Sequence, residues 1–175
     1  MKERKKKEIW SWLSSILAAV IVAMICQQFI FTPVMVKGKS MMPTFESDNQ
    51  IIVSKISRIE RFDMIVFHSP ISKDNYIKRV IGLPGDTVQI KNDVLTINGK
   101  IYKEPYLEQN KSILVPRENL TENLTIRVPA GSYYVMGDNR RDSMDSRVFG
   151  CISKKSVIGE AKFRFSPIER MGTLN

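Results

Sequence analysis

Residues 9–31 read IWSWLSSILAAVIVAMICQQFIF, and no charged side chain interrupts them. Their number matches the roughly 20 apolar residues that a helix needs to cross the hydrocarbon core of a bilayer. Trp10 and Trp12 lie near the beginning of the run, where indole rings favour the membrane interface. The sequence therefore predicts one transmembrane helix over residues 9–31, followed by a body made from the rest of the chain.

The residues before this helix are basic. Residues 2–8 hold five basic and two acidic side chains, a net charge of +3 within the formal +9 of the whole chain. Basic residues beside a membrane span tend to stay in the cytoplasm, so we expect a cytoplasmic tail at residues 1–8 and an exported body at residues 32–175. No aromatic-studded basic stripe or helix-turn-helix pattern accompanies the charge, so we expect no nucleic-acid partner.

A cleavable secretory signal is the competing interpretation of residues 9–31. Such a signal has a shorter apolar core, followed by an Ala-X-Ala-like site of small residues. Here the run ends in QQFIFTP (residues 27–33), which holds bulky residues instead. We therefore expect an uncleaved anchor that lies in the lipid bilayer.

After Pro33 the pattern changes to short β-rich runs separated by turn residues. Runs of β-branched and aromatic residues that are bounded by Gly, Pro, Asn or Asp are typical of strands. The pair Asn98-Gly99 is the favoured turn of a tight hairpin. We find no internal repeat and no helical heptad in this part, so the body is mainly β. Strands are predicted over residues 51–53, 64–67, 76–81, 87–90, 94–97, 100–102, 126–128, 132–136 and 157–165.

Residues 104–122 interrupt the β pattern. They are polar and punctuated by proline. We expect a loop or a poorly ordered flap there.

The stretch GKSMMPT (residues 38–44) places one small hydroxyl, that of Ser40, shortly after the anchor. Flexible glycine, two methionines and a rigid proline surround it. A serine hydroxyl is a weak nucleophile until a base removes its proton. We interpret Ser40 as a nucleophile held close to a bilayer, which requires a base nearby.

Metal-dependent chemistry finds little support in the composition. His68 is the one histidine, and Cys26 and Cys151 are the two cysteines, so no zinc-type ligand cluster can be assembled. Two cysteines are too few for a disulfide framework, and we expect both to be unpaired. A site built from carboxylates alone stays open, but no spacing recommends it. We therefore expect neither a metal nor another cofactor.

Two residues could serve as the base. His68 ends a predicted strand inside a loop-bound His-Ser-Pro, which is typical of an ordinary surface or edge histidine. Lys78 lies within the apolar strand at residues 76–81, so its side chain could enter a water-poor site. Burial disfavours the ammonium form and can leave lysine as a neutral amine that acts as a base. The alternative is a strand lysine that reaches solvent.

A third stretch, MGDNRRDSMDSR (residues 136–147), is dense in carboxylate, hydroxyl, amide and guanidinium groups. Such a loop can hold a catalytic amine in place. On its own it could equally be a solvated loop or a weak cation site, although it lacks the spacing of an EF-hand.

Together these stretches resemble the type I signal peptidases, membrane-anchored Ser–Lys proteases that remove signal peptides from exported proteins, in their short form typical of Gram-positive bacteria. Five blocks match the family in order, and they span nearly the whole chain. The blocks are the anchor, GKSMMPT (residues 38–44), RFDMIVF (residues 61–67), YIKRVIGLPGD (residues 76–86) and the polar loop at residues 136–147.

The resemblance implies an acyl-enzyme mechanism without a cofactor. Ser40 would be the acylated nucleophile and Lys78 the general base. The hydroxyl of Ser143 would hydrogen-bond the lysine amine. Two supporting ion pairs are implied, Asp145 with Arg147 and Arg79 with Asp138.

The resemblance also implies the substrate, the signal peptide of an exported preprotein. Its cleavage region would add as a strand beside residues 36–38 through main-chain hydrogen bonds. Pockets under alternate residues would select small side chains at positions −1 and −3, the Ala-X-Ala rule. The expected substrate-binding residues are Val36, Gly38, Met41, Tyr76 and Ile77.

Three departures from the family pattern matter. Gly38 stands where many relatives have a hydroxyl that donates to the oxyanion, so the oxyanion hole would depend on backbone N–H groups, chiefly that of Ser40. Phe62 stands where glycine is common, and we expect it only to shift local packing. The stretch between Asp86 and Ser132 is short. It implies a reduced non-catalytic β insertion, at about residues 87–131, within an antiparallel β-sheet catalytic domain.

Two other functions stay open. A self-cleaving Ser–Lys regulator would share the β core, but such proteins are soluble, and residues 9–31 argue against it. A membrane-tethered binding or assembly protein without activity is the alternative from another class. The intact set of Ser40, Lys78 and Ser143 argues against that one.

Overall fold

The computed structural model describes residues 2–115 and 118–174, and the side chains of residues 2–9 and of Cys26 lie outside what it describes. Helix α1 runs over Lys2–Phe29. Within the described part of the chain, Trp10–Phe29 is the one helical span long and apolar enough to cross a membrane, with a mean hydropathy of 1.8. None of that span is buried against the body. The helix ends before the predicted boundary because Phe31 already belongs to a strand.

Twelve strands and two further α-helices follow α1 among the described residues. All the predicted strands are confirmed, with ends shifted by at most two residues, whereas the sequence pattern does not predict β1, β10 or β12. The strands are β1 (Phe31–Met35), β2 (Gln50–Ser54), β3 (Met64–His68), β4 (Asn75–Gly82), β5 (Thr87–Lys91), β6 (Val94–Ile97), β7 (Lys100–Tyr102), β8 (Leu124–Arg127), β9 (Ser132–Met136), β10 (Ile152–Ser153), β11 (Val157–Ser166) and β12 (Gly172–Thr173), and the helices are α2 (Glu108–Ser112) and α3 (Ser146–Phe149).

The larger sheet has eight strands in the order β1-β2-β11-β3-β4-β9-β10, with β12 beside β11. All its pairings are antiparallel. In the pairing of β3 with β4, Ile65 lies opposite Lys78 and Met64 lies opposite Arg79. Both basic residues therefore lie midway along β4, next to β3, and Arg79 is also paired with β9 on the other side, so the sheet can shield them from water.

The smaller sheet has four strands in the order β7-β6-β5-β8. The predicted hairpin turn joins β6 to β7, and both Asn98 and Gly99 have positive φ there, as a type I′ turn requires. The sheet packs its apolar side chains in one cluster with Ile81, Tyr134 and Met136 of the larger sheet. The predicted fold class, a mainly antiparallel β body with a small inserted β unit after one apolar helix, is confirmed.

Residues 104–122 are only in part the loop or flap that the sequence predicts: the expectation is wrong for Pro105–Ser112, whereas residues 113–115 and 118–122 have no helix or strand. Pro105–Leu107 form a 3-10 turn that leads directly into α2. Leu107, Leu120 and Thr121 are 1%, 5% and 1% exposed. The polar composition misleads because several of these polar groups are buried in pairs. Residues 116 and 117 lie outside the described part.

The expectation that Phe62 only shifts local packing is also wrong. Its φ is +75°, a left-handed conformation that glycine adopts at no steric cost and bulky residues rarely adopt. Its ring lies 5.7 Å from that of Tyr102 in β7 and 6.3 Å from that of Tyr106. Phe62 thus combines a strained backbone with contacts that fasten the inserted unit to the larger sheet.

Candidate active site

The loop between β1 and β2 carries Ser40. Gly38 has φ +86°, so the chain turns there in a conformation that suits glycine. The N–H of Met42 then donates to the Lys39 carbonyl at 3.0 Å, which closes a tight turn around Ser40. Phe45, fully buried, fixes the end of the loop in the core. Ser40 itself stays partly accessible.

Lys78 does not reach solvent. It is 3% exposed, and its Nζ donates to Ser40 Oγ at 2.6 Å and to the carbonyl of Ile77 at 3.1 Å. The ring of Tyr76 lies 5.2 Å from the same nitrogen. The structure therefore brings together the serine and the lysine that the sequence singled out, although 38 positions separate them.

Burial changes the ionisation of this lysine. It lowers the pKa of Lys78 from 10.5 to about 8, and the nearby charges of Asp145 and Asp138 oppose the change without cancelling it. A buried ammonium loses its hydration, so the neutral amine becomes accessible near physiological pH. A neutral amine in contact with a hydroxyl can accept that hydroxyl's proton.

Asp138 ties the Ser40 loop to β4. Its carboxylate accepts a bidentate pair of hydrogen bonds from Arg79, at 2.9 and 2.7 Å, and both side chains are almost completely buried. It also accepts a hydrogen bond from the Thr44 hydroxyl. The next residue, Asn139, donates its N–H to the Ser40 carbonyl at 3.0 Å. This arrangement holds the Ser40 loop against the strand that carries Lys78.

Asp145 organises the far end of the same polar loop. It caps α3 and pairs with Arg147 through two hydrogen bonds of 2.8 Å. It also accepts the N–H of Gly137 at 2.9 Å. Burial alone would raise the pKa of Asp145, but the hydrogen bond and charge of Arg147 outweigh it and hold that pKa below its ordinary value. The expected ion pair is therefore present, and its carboxylate stays ionised.

Ser143 does not make the hydrogen bond to Lys78 that the resemblance implies. Its Oγ is buried and lies close enough to the Asp145 carboxylate to help lower the pKa of that group, while the lysine amine is directed at Ser40 and Ile77 instead. A Cβ on Gly137 would collide with this oxygen and with the Ser40 carbonyl. Glycine at position 137 is thus what allows Ser143 to pack this close to the nucleophile loop.

A groove of about 600 Å³ opens over Ser40 and Lys78. Four of the five predicted substrate-binding residues, Val36, Gly38, Tyr76 and Ile77, line it. Met41 does not line it. It is 1% exposed and packs inside the core cluster beneath the groove, since the turn around Ser40 directs it inward.

His68 lies apart from this site. It is exposed at the end of β3, where its Nδ1 is 2.9 Å from the Asn75 side-chain oxygen. It does not line the groove that holds Ser40. Lys78 is consequently the basic group in contact with the serine.

Residues 104–110 contribute contacts that the sequence does not predict. Glu104 forms a buried ion pair with Arg140 at 2.6 Å. The Asn110 side chain donates to the backbone carbonyls of Met42 and Asp138. The one available signal is weak: the apolar pair Tyr106-Leu107 inside an otherwise polar stretch indicates partial burial.

Comparison with known proteins identifies the family of the chain. The family described as signal peptidase, peptidase S26, matches residues 9–166. The chain is 42% identical to Signal peptidase I of Bacillus amyloliquefaciens over 97% of its length and 91% of the relative's. It is 43% identical to Signal peptidase I of Bacillus caldolyticus, over 97% and 96%, and 42% identical to Signal peptidase I S of Bacillus subtilis strain 168, over 98% and 96%.

A solved structure, that of a signal peptidase I from Enterococcus faecalis V583, superposes with a TM-score of 0.59 at 42% identity. It covers 60% of this chain and 97% of its own. The chain belongs to the signal peptidase family, peptidase S26. It is accordingly a serine peptidase that cleaves signal peptides, of the signal peptidase I type.

Proposed function

We propose that the chain cleaves signal peptides from exported preproteins after small residues, with Ser40 as nucleophile and Lys78 as general base. The observation that carries the proposal is the 2.6 Å contact between Lys78 Nζ and Ser40 Oγ. It is supported by the 3% exposure of Lys78, which favours the neutral amine that a base must offer.

The reaction follows from these two groups. The neutral amine of Lys78 takes the Ser40 proton while Oγ attacks the scissile carbonyl carbon. The resulting ammonium returns that proton to the leaving amino group as the peptide bond breaks. The signal peptide is left as an ester on Ser40, and Lys78 then deprotonates the water that hydrolyses it. No metal or cofactor takes part in these steps.

The oxyanion would be held by backbone N–H groups. No backbone acceptor in the described residues takes the N–H of Ser40. This N–H is therefore available to donate to the oxyanion that forms on the scissile carbonyl. Gly38 offers no hydroxyl, and its φ of +86° disfavours any residue that would supply one. A single preorganised donor can contribute about 3 kcal/mol to the transition state. The Ser40 N–H would therefore stabilise the oxyanion.

The substrate would bind as an added strand on the open edge of β1. The N–H and carbonyl of Val36 are both used internally, by Asn49 and Asp48. Because backbone groups alternate along a strand, the outward-facing groups nearest Ser40 are those of Met35 and Lys37. The added strand would therefore pair with Met35 and Lys37. This pairing differs by one residue from the one expected beside residues 36–38. Small side chains at −1 and −3 would then face the groove.

The anchor would confine enzyme and preprotein to one surface, which raises their effective concentration. In this proposal residues 1–8 lie in the cytoplasm and residues 9–31 span the bilayer. Residues 32–175 form the extracytoplasmic catalytic domain, with residues 87–131 as its reduced non-catalytic insertion. The basic residues before the span support this orientation. A reporter fused after Asn175 should be active only outside the cytoplasm, and activity inside would contradict the orientation.

Cleavage of a preprotein in detergent tests the chemistry. Ser40→Ala and Lys78→Ala should each abolish cleavage, because either change removes one half of the proton transfer. Ser132→Ala and Lys91→Ala are the matched controls, since both residues lie outside the groove, and they should cleave like the wild type. Retained cleavage in either of the first two variants would rule out the Ser40–Lys78 pair.

The substrate preference needs its own measurement. A preprotein with Ala at −1 and −3 should be cleaved, whereas Leu at either position should block cleavage without changing the membrane insertion of the substrate. Equal cleavage of both substrates would contradict the preference for small residues. No cleavage of any exported protein by the wild type would favour the inactive tethered protein.

A further inference from the structure

Asn110 in α2 contacts both halves of the candidate active site. Its Nδ2 donates to the carbonyl of Met42 at 3.1 Å and to the carbonyl of Asp138 at 2.8 Å. The residue is only partly buried, but both of its amide protons are directed to backbone acceptors. One side-chain amide thus joins the Ser40 loop to the polar loop that follows β9.

Both carbonyls belong to residues that help to hold the reacting serine in place. Met42 closes the turn around Ser40 through its own N–H. Asp138 precedes Asn139, whose N–H donates to the Ser40 carbonyl. A shift of either loop would therefore move Ser40 Oγ relative to Lys78, which is fixed within the sheet.

The segment that carries Asn110 is itself firmly attached. Glu104 and Arg140 pair at 2.6 Å with side chains 3% and 1% exposed. The hydroxyl of Tyr106 donates to the Glu104 carboxylate at 2.7 Å, and the Arg79 guanidinium lies 4.0 Å from the centre of the Tyr106 ring. These contacts attach the turn directly before α2 to the body, so Asn110 follows a segment that is held in place.

We propose that Asn110 is a positioning residue that keeps Ser40 Oγ within reach of Lys78 Nζ. This inference rests on the proposed roles of those two residues. Without the amide, the Met42 carbonyl loses this donor and the Asp138 carbonyl keeps only the N–H of Arg140, so the link between the two loops is broken and they can separate. A displacement of about 1 Å at a reacting group can cost about 100-fold in rate. Asn110 therefore acts on the chemical step and not on substrate binding, since it does not line the groove.

The test measures kcat and KM for a preprotein with the full-length chain in detergent. Asn110→Ala removes the donor, and Asn110→Asp keeps the size but replaces the donor with an acceptor that repels both carbonyls. We expect kcat to fall roughly 10- to 100-fold in both variants, with KM changed by less than about twofold. Ser112→Ala is the matched control, because it removes one exposed side-chain hydrogen bond from the same helix and should leave kcat unchanged.

Thermal unfolding of each variant separates positioning from folding. The midpoints of the Asn110 variants should fall close to that of Ser112→Ala. A loss of kcat that matches the unfolded fraction, a rise in KM alone, or kcat equal to that of Ser112→Ala would each overturn the inference. Ser40→Ala is assayed alongside. If it is inactive while the Asn110 variants are unchanged, only this inference fails, whereas an active Ser40→Ala would overturn the proposed function as well.

Discussion

Raising the pH from about 6 to about 9 is expected to increase kcat/KM until the Lys78 amine is neutral. Burial lowers the pKa of Lys78 from 10.5 to about 8, even though Asp145 and Asp138 oppose it. At pH 7 about one molecule in ten then carries the neutral amine, whereas an unperturbed lysine would give about one in 3,000. Burial thus enlarges the competent fraction about 300-fold, which corresponds to about 3 kcal/mol.

The assay is the pH profile of kcat/KM, which reports the ionisation of the free enzyme. The logarithm of kcat/KM should rise with a slope of about one below pH 8 and level off above it. His68→Gln is the control and should keep the same profile, because His68 lies outside the groove. A profile whose acid limb is centred at about pH 6.5, the ordinary range of histidine, would point to a different base. If that limb disappeared in His68→Gln, Lys78 would be refuted as the base.

The same burial predicts a pH-dependent stability. Between about pH 8 and 10.5 the unfolded chain retains a proton on Lys78 that the folded chain has released, so the free energy of unfolding rises with pH across that window. Below about pH 8 both states hold the proton, and the folded chain carries the full desolvation cost, at most about 3 kcal/mol. Lys78→Met should raise the free energy of unfolding at pH 7 by up to that amount and remove the rise. Chemical denaturation of both proteins would reveal the difference, and identical pH dependence would contradict it.

Two further substitutions test the packing around the site. Gly137→Ala should reduce kcat by about 100-fold, because the new Cβ would collide with Ser143 Oγ and the Ser40 carbonyl. Gly172→Ala, at a glycine with open space, should change nothing, and equal activity in both variants would contradict the tight packing. Phe62→Gly relieves a backbone cost of about 1 kcal/mol but loses the ring contacts, so thermal unfolding should show a net loss of about 1–3 kcal/mol. A stabilised variant would mean that the ring contributes little.

The strands were predictable because their signal is local. The apolar runs at β2, β3 and β4 are bounded by turn residues, and such patterns need no knowledge of the rest of the chain. The 2.6 Å contact between Ser40 and Lys78 is different, since it depends on how β4 pairs with β3 and on how the loop after β1 folds back. From the residues alone, Lys78 could be either a buried base or a lysine that reaches solvent. The family resemblance is what favours the base.

The buried polar contacts were not predictable. Glu104 and Arg140 look like surface residues in the sequence, yet each is nearly inaccessible because the other neutralises it. Asn110 lies in a stretch whose composition is typical of a loop. The sequence does not show which distant residue a charged or amide side chain will contact, so the burial of such a side chain cannot be predicted from it. The same holds for Ser143, whose hydroxyl lies beside the Asp145 carboxylate and not against the Lys78 amine.

The open edge of β1 would ordinarily invite pairing with any extended chain. Pro33 lies in the middle of this strand. Backbone groups alternate along a strand, so the backbone of Val36 faces β2 and that of Pro33 faces the open edge, where proline has no N–H to donate. The edge can therefore donate the N–H groups of Met35 and Lys37, close to Ser40, but it has no N–H to donate at Pro33. One residue thus limits how long a strand can add here, and it makes the edge a poor template for aggregation between copies of the protein.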